Sequence, residues 1–194
     1  MYLFPLEQLP YYQNYAFRER FFSPEECDRV LAMLNQYPLQ DAVGPRDANL
    51  PNAADIRKSR ISQIPWAKEA EWIFQRLAAA VLECNKSLYN FQLNGFLEGL
   101  QIEQYQTGSF FDWHQDFGYR ELSLRKINIV AQLTEPGQYE GGDVEFFSGR
   151  GPQKAVRSRG ALLMFPSFVL HRVTPATAGT RHALVGWVSG PPFR

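Results

Sequence analysis

Hydrophobic and polar positions change their period near residue 90. Upstream, "FSPEECDRVLAMLNQY" (residues 22 to 37) carries an apolar stripe at helical spacing behind Ser23, Pro24 and Glu26. A serine N-cap, a proline at the first helical position and a glutamate three residues after the serine form a capping box, which predicts a helix. A second helix is predicted after Pro65, where Ile73, Leu77, Val81 and Cys84 recur at helical spacing and Ala78, Ala79 and Ala80 favour helix. Between the two, residues 40 to 56 are rich in Gly, Pro, Asn and Asp and read as a loop, followed by a short extended "RKSRISQI".

From Phe91 onward the pattern becomes short β-type runs separated by turns: "LEGLQIEQY", "FFDWHQD", "KINIVAQLT", "GDVEFFS", "ALLMFP", "HRVTPA" and "RHALVGWVS". No helical pattern separates these runs, so a parallel βαβ sheet is disfavoured and an antiparallel sandwich or jelly roll is expected. The predicted class is mainly β with supporting helices. A chain of 194 residues fits one domain spanning 1–194, with helical support and substrate loops in 1–90 and the jelly-roll core in 91–194.

Composition narrows the function classes. Lysine plus arginine equals aspartate plus glutamate, 20 against 20, so no overall field attracts polyanions or anionic membranes, and nucleic-acid binding is not expected. No apolar run approaches the roughly 20 residues a membrane span needs. The N-terminal "MYLFPLEQLPYYQNY" has no basic region and is broken by prolines, unlike a secretion signal. Cys27 and Cys84 fall on predicted apolar helix faces as packing residues, which fits a reducing, cytoplasmic setting.

The chemistry concentrates in few positions. Residues two apart on a strand share a face, so His114 and Asp116 present an imidazole and a carboxylate side by side. His171, after the apolar run that ends at Pro166, returns the chain to the same end of such a barrel. Two histidines and one carboxylate form the facial triad of non-haem Fe(II) oxygenases, leaving positions open for cosubstrate and dioxygen. Asp112 shares the face of His114 but ranks below Asp116, and His182 points opposite to Arg181 if Arg181 points inward. Arg181 could take a carboxylate end-on.

The order "Y-x-x-G-x-F-x-x-W-H-x-D", "EP-x-x-Y-x-GG-D", "GALLMFPSFVLHRVTP", Arg181 and Trp187 resembles the Fe(II)/2-oxoglutarate-dependent dioxygenases of the prolyl 4-hydroxylase-like superfamily, and within it the small bacterial PKHD-type hydroxylases. The resemblance covers residues from about Arg57 to Ser189. It implies a double-stranded β-helix, with Fe(II), 2-oxoglutarate and O2 as cofactors and ascorbate as reductant. It makes His114, Asp116 and His171 the iron ligands and Arg181 the residue for the distal carboxylate of 2-oxoglutarate, with Tyr105 nearby. In "KINIVAQLT", Asn128 and Gln132 share the inward face, and Gln132 stands where relatives often use tyrosine to reach the cosubstrate. Trp187 should line the substrate pocket, and Arg57 or Arg60 of "RKSR" could meet substrate at the mouth. The implied reaction is hydroxylation of a C–H bond of a peptidyl, first of all prolyl, substrate with release of succinate and CO2.

Three other readings follow from the same residues. One keeps the chemistry on a free amino acid or small metabolite. Another is a non-catalytic cupin-like module for metal or ligand. The third is an interaction domain using "FPSF" and the aromatics Tyr2, Phe4, Tyr11, Tyr12, Tyr15 and Phe17. Substrate choice is expected in loops 40 to 60 and 117 to 125, and residues 40 to 56 are expected to act as a lid over the barrel opening.

Overall fold

The computed structural model describes residues 13–42 and 56–193. Helix α1 spans Pro24–Ala32, and its capping box is formed in both directions: the Glu26 amide donates to Ser23 Oγ (3.2 Å) and the Ser23 amide to Glu26 Oε2 (2.9 Å). Its apolar stripe buries Cys27 and Val30. Helix α2 spans Glu71–Cys84 and buries Ile73, Phe74, Leu77, Ala80, Val81 and Cys84. It begins later than Pro65 because a 3-10 turn over Lys68–Ala70 intervenes. Both cysteines are free and buried, as packing residues should be.

The strands are β1 (Ala16–Arg18), β2 (Gln40–Asp41), β3 (Arg57–Lys58), β4 (Arg60–Ile64), β5 (Leu100–Gln106), β6 (Phe110–His114), β7 (Arg125–Gln132), β8 (Tyr139–Gly141), β9 (Val144–Ser148), β10 (Gly151–Lys154), β11 (Leu162–Pro166), β12 (His171–Val173) and β13 (Ala176–Ser189). They form two antiparallel sheets. The main sheet runs β1-β11-β7-β13-β5-β4-β2, with β8 pairing β13; the minor sheet runs β10-β9-β12-β6-β3. All seven predicted strands are present. The added ones, β1, β2, β8 and β10, are two to four residues long, too short for a period-2 pattern to show.

Alternation along β7 sorts two cores. Ile127, Ile129 and Ala131 pack with the helices, together with Leu100, Ile102, Leu162 and Leu184. Val130 faces the minor sheet and packs with Tyr105, Phe146, Phe165, Val185 and Trp187. The main sheet is therefore covered on both faces, and only its minor-sheet side opens into a jelly-roll interior. After β8, Gly141 and Gly142 take φ values of 65° and 60°. A Cβ on Gly141 would come within 2.1 Å of the Pro175 carbonyl oxygen, so this turn requires glycine.

Of the N-terminal aromatics, Tyr15 stacks on Phe146 at 4.4 Å and Phe17 is half exposed. Tyr2, Phe4, Tyr11 and Tyr12 lie outside the described residues, as does most of the segment expected to form a lid, residues 43 to 55. Among the described residues, no helix is long and apolar enough to cross a membrane.

Candidate metal and cosubstrate site

The minor sheet brings the two histidines together. His114, the last residue of β6, is the cross-strand partner of His171, the first of β12. Ligand atoms of His114, Asp116 and His171 lie within 4.8 Å of one another. Asp116 Oδ1 is 3.8 Å from His114 Nε2, and Oδ2 is 3.6 Å from His171 Nε2. One expectation is corrected here: β6 ends at His114, so Asp116 does not share its strand. It sits in the following bend, fixed by its amide donating to the Ser167 carbonyl at 3.0 Å. Asp112 is exposed and supplies only its backbone to the site.

Backbone carbonyls set the tautomer of both rings. His114 Nδ1 meets Asp112 O at 2.7 Å and His171 Nδ1 meets Val169 O at 2.9 Å. A carbonyl can only accept, so each Nδ1 carries a proton, which leaves Nε2, on the Asp116 side, as the nitrogen available to a metal. Burial, followed by the neighbouring His171, pushes the His114 pKa down to about 3, which keeps the ring neutral at ordinary pH. Burial alone would raise Asp116, but His171, His114 and Arg125 hold it below the usual carboxylate range. Two facing imidazoles, that of His114 neutral, beside an ionised carboxylate are the donor set a divalent iron takes.

A second layer fixes the carboxylate. Asn128 Nδ2 donates to Asp116 Oδ2 at 2.5 Å. The Trp187 indole, cross-strand partner of Asn128, helps keep Asp116 charged, although its Nε1 makes no hydrogen bond of ordinary geometry. Arg125 lies 3.8 Å over the Trp187 ring, with Nη1 3.9 Å from Asp116 Oδ1, and is held by Glu98 through two bonds of 2.7 and 2.5 Å.

Deeper in the interior, Arg181 is the cross-strand partner of Tyr105 and is 1% exposed. Gln132 Oε1 accepts from its Nε (3.2 Å) and Nη2 (3.0 Å). Asn128 Oδ1, Arg181 Nη1 and Trp187 Nε1 are buried without partners on this face of the main sheet. Each unpaired buried polar atom is unfavourable by about 1–3 kcal/mol, so this face fits a polar ligand between the triad and Arg181. The ligand set and the open donors Arg181 Nη1 and Trp187 Nε1 together fit iron with a dicarboxylate cosubstrate. His182 points away, against Gln104 at 3.0 Å.

Arg57 and Arg60 separate. Arg57 lies on the minor sheet, pairs with Glu103 at 2.7 Å and stacks 4.6 Å over Phe111, which itself stacks on His114 at 3.4 Å. Glu103 also accepts from the Tyr105 hydroxyl at 2.9 Å. Arg60 has crossed to the main sheet, where its register partner is Gln104, the partner of His182. It therefore projects on the face opposite Tyr105 and Arg181 and pairs with Leu39 O and Asp41, which corrects its expected place in the substrate pocket. Glu103 and Arg125 were not among the expected site residues, although Glu103 shares the strand face of Tyr105 and so has a sequence signal. A separate cleft of about 800 Å³ is lined by Gln13, Tyr15, Ser148, Arg150 and neighbours, with no His, Cys, Asp or Glu among its described lining residues.

With this geometry in place, comparison with known proteins is informative. A family model described as the 2OG-Fe(II) oxygenase superfamily matches residues 100–189, the stretch that carries the triad, Arg181 and Trp187. A PKHD-type hydroxylase of a Synechococcus species is 28% identical over 141 residues, 71% of this chain and 62% of the relative. One from Idiomarina loihiensis is 33% identical over 87 residues, 45% of this chain and 40% of the relative. The chain thus matches about three-fifths or less of the length of these relatives. A Pseudomonas putida prolyl-4-hydroxylase superposes with a TM-score of 0.70 at 23% identity, covering 92% of this chain and 93% of that one. A Trichoplax adhaerens prolyl hydroxylase in complex with a hypoxia inducible factor peptide fragment gives 0.73 at 18%, covering 91% and 84%. These two show a shared fold. Residues 100–189 are thus similar in sequence to the 2OG-Fe(II) oxygenase superfamily, and the fold is shared with the two prolyl hydroxylases.

Proposed function

We propose that this protein is an Fe(II)- and 2-oxoglutarate-dependent hydroxylase acting on a C–H bond of a peptidyl substrate, prolyl in the first instance. The observation that carries the reading is the convergence of two Nδ1-protonated imidazoles and one ionised carboxylate, in an interior that also holds the unpaired Nη1 of a buried arginine. In this reading His114, Asp116 and His171 hold the iron, and Arg181 binds the distal carboxylate of 2-oxoglutarate beside Tyr105. Iron with 2-oxoglutarate and O2 supplies the oxidation, in which decarboxylation to succinate and CO2 is coupled to hydroxylation of the substrate.

The chain's own contribution is placement. Asn128 keeps Asp116 turned toward the histidines, and Arg125, packed on Trp187, closes the outer side of the carboxylate. Phe111, sandwiched between Arg57 and His114, screens the iron site from water. In the same reading Arg57, stacked on Phe111, is the residue of the basic stretch that meets substrate. The peptide bound to the Trichoplax relative favours a peptidyl substrate. A cytoplasmic setting agrees with the two free buried thiols.

The test is succinate release with Fe(II), 2-oxoglutarate and ascorbate against proline-containing peptides and, separately, free amino acids. Stimulation by peptides supports the proposal. Stimulation by free amino acids alone would assign the same chemistry to a small metabolite, and no turnover with bound iron would leave a cupin-like binding module.

A further inference from the structure

Gln132 occupies the place where the family resemblance expects a direct partner of the cosubstrate, yet the side chain it touches is Arg181. Ala183, two residues beyond Arg181 on β13, is its cross-strand partner, which makes Gln132 and Arg181 diagonal neighbours on the inward face. Gln132 Oε1 takes both Nε–H and Nη2–H of the guanidinium, and its own Nε2 donates to the Val156 carbonyl at 3.1 Å. Gln132 is 2% and Arg181 1% exposed. Turning the amide over would set its NH2 against the guanidinium and its oxygen against a carbonyl, so only one orientation is satisfied.

Three surfaces fix the rest of the arginine. The Tyr105 ring lies 5.4 Å from Cζ, and a Cβ at Gly142 would come within 3.3 Å of Cδ, so the stem runs close against the glycine backbone. The amide closes the Nε edge, and Nη1 is the buried donor without a partner. A neutral amide oxygen orients the guanidinium without cancelling its charge, unlike a carboxylate.

We propose that Gln132 is a positioning residue: it locks Arg181 at one depth in the barrel with Nη1 free, and so sets both affinity and chain-length selectivity for a five-carbon dicarboxylate. This rests on Arg181 being the 2-oxoglutarate anchor. With the guanidinium fixed at one distance from the triad, a six-carbon 2-oxoadipate meets it out of register. Without the amide the guanidinium can follow the longer chain.

The test measures binding of 2-oxoglutarate and 2-oxoadipate by anaerobic calorimetry to Mn(II)-loaded wild type, Gln132→Met and Gln132→Glu. Thermal melting and Mn(II) affinity are measured in parallel. The methionine variant, close in volume, is expected to keep its Mn(II) affinity, bind 2-oxoglutarate about tenfold more weakly, and discriminate less between the two acids. The glutamate variant should bind 2-oxoglutarate more weakly still, because its carboxylate neutralises Arg181. Wild-type affinity and selectivity in both variants would overturn the inference alone, as would a glutamate variant that binds more tightly than the methionine one. A wild type that takes Mn(II) but no 2-oxoglutarate would overturn the reading of Arg181 and the inference with it.

Discussion

His114 and His171 stand directly opposite each other on β6 and β12, with ring centroids 4.1 Å apart. Two imidazoles held this close, each with Nδ1 donating to its own chain's carbonyl two residues back, turn both Nε2 atoms toward Asp116. Replacing either by alanine should abolish metal binding while the fold survives, since the hydrophobic clusters on both faces of the main sheet do not include them. Calorimetric titration with Mn(II), paired with circular dichroism, checks this; a folded His171→Ala variant that retains wild-type Mn(II) affinity would contradict the ligand set.

Arg181→Ala should separate cosubstrate from metal. Loss of a charge-assisted pair in a dry interior is unfavourable by about 2–5 kcal/mol, or roughly 30-fold or more in affinity for 2-oxoglutarate. Mn(II) binding should be unaltered, because the guanidinium makes no contact with the triad. Unchanged 2-oxoglutarate affinity would direct attention to another cation.

Asn128 has no direct role toward a metal, yet its amide holds Asp116 Oδ2 at 2.5 Å. Asn128→Ala should lower metal affinity by about 10- to 100-fold, the usual effect of removing an outer partner of a ligand. Asn128→Asp should be worse than alanine, since it places a second carboxylate against the first. Metal titration of both variants decides; equal affinities in all three proteins would mean that Asp116 is oriented by its backbone alone.

The metal-free protein should lose stability on acidification. His114 has a folded pKa of about 3 against an ordinary 6.5. It therefore binds a proton on unfolding anywhere between those values, and the unfolded state gains as pH falls. One such proton gives a slope of about 1.4 kcal/mol per pH unit, and the group contributes no slope above about 6.5. The lowered pKa of Asp116 acts in the same direction at more acid pH. Urea unfolding from pH about 7 to about 4.5 should thus show a steeper loss for wild type than for His114→Gln. Parallel curves would show that His114 is not buried neutral.

Strand periodicity made much of this site readable, because period-2 alternation places a side chain on a face with no knowledge of its neighbours. Asn128 and Gln132 point inward as the alternation in β7 requires, and His182 points away from Arg181. What the sequence does not carry is where a strand stops or changes sheet. Asp116 leaves β6 because its amide turns to Ser167, a residue 51 positions away (167 − 116). Arg60 faces the wrong side because the chain passes from the minor sheet to the main sheet at Ser59, between β3 and β4. Gln132 reaches Arg181 in a defined orientation only because Val156, in an irregular stretch, offers a carbonyl. Such contacts between distant segments have no local signature.

The central claim is that His114, Asp116 and His171 hold iron with positions left for 2-oxoglutarate. Anaerobic titration of the Fe(II)-loaded protein with 2-oxoglutarate, followed by visible absorption, tests it most directly. Chelation of Fe(II) by the 2-oxo acid should produce a saturable metal-to-ligand charge-transfer band at one equivalent, absent from His171→Ala and requiring much more 2-oxoglutarate in Arg181→Ala. A wild type that binds Fe(II) at one equivalent but develops no such band at saturating 2-oxoglutarate would contradict the account.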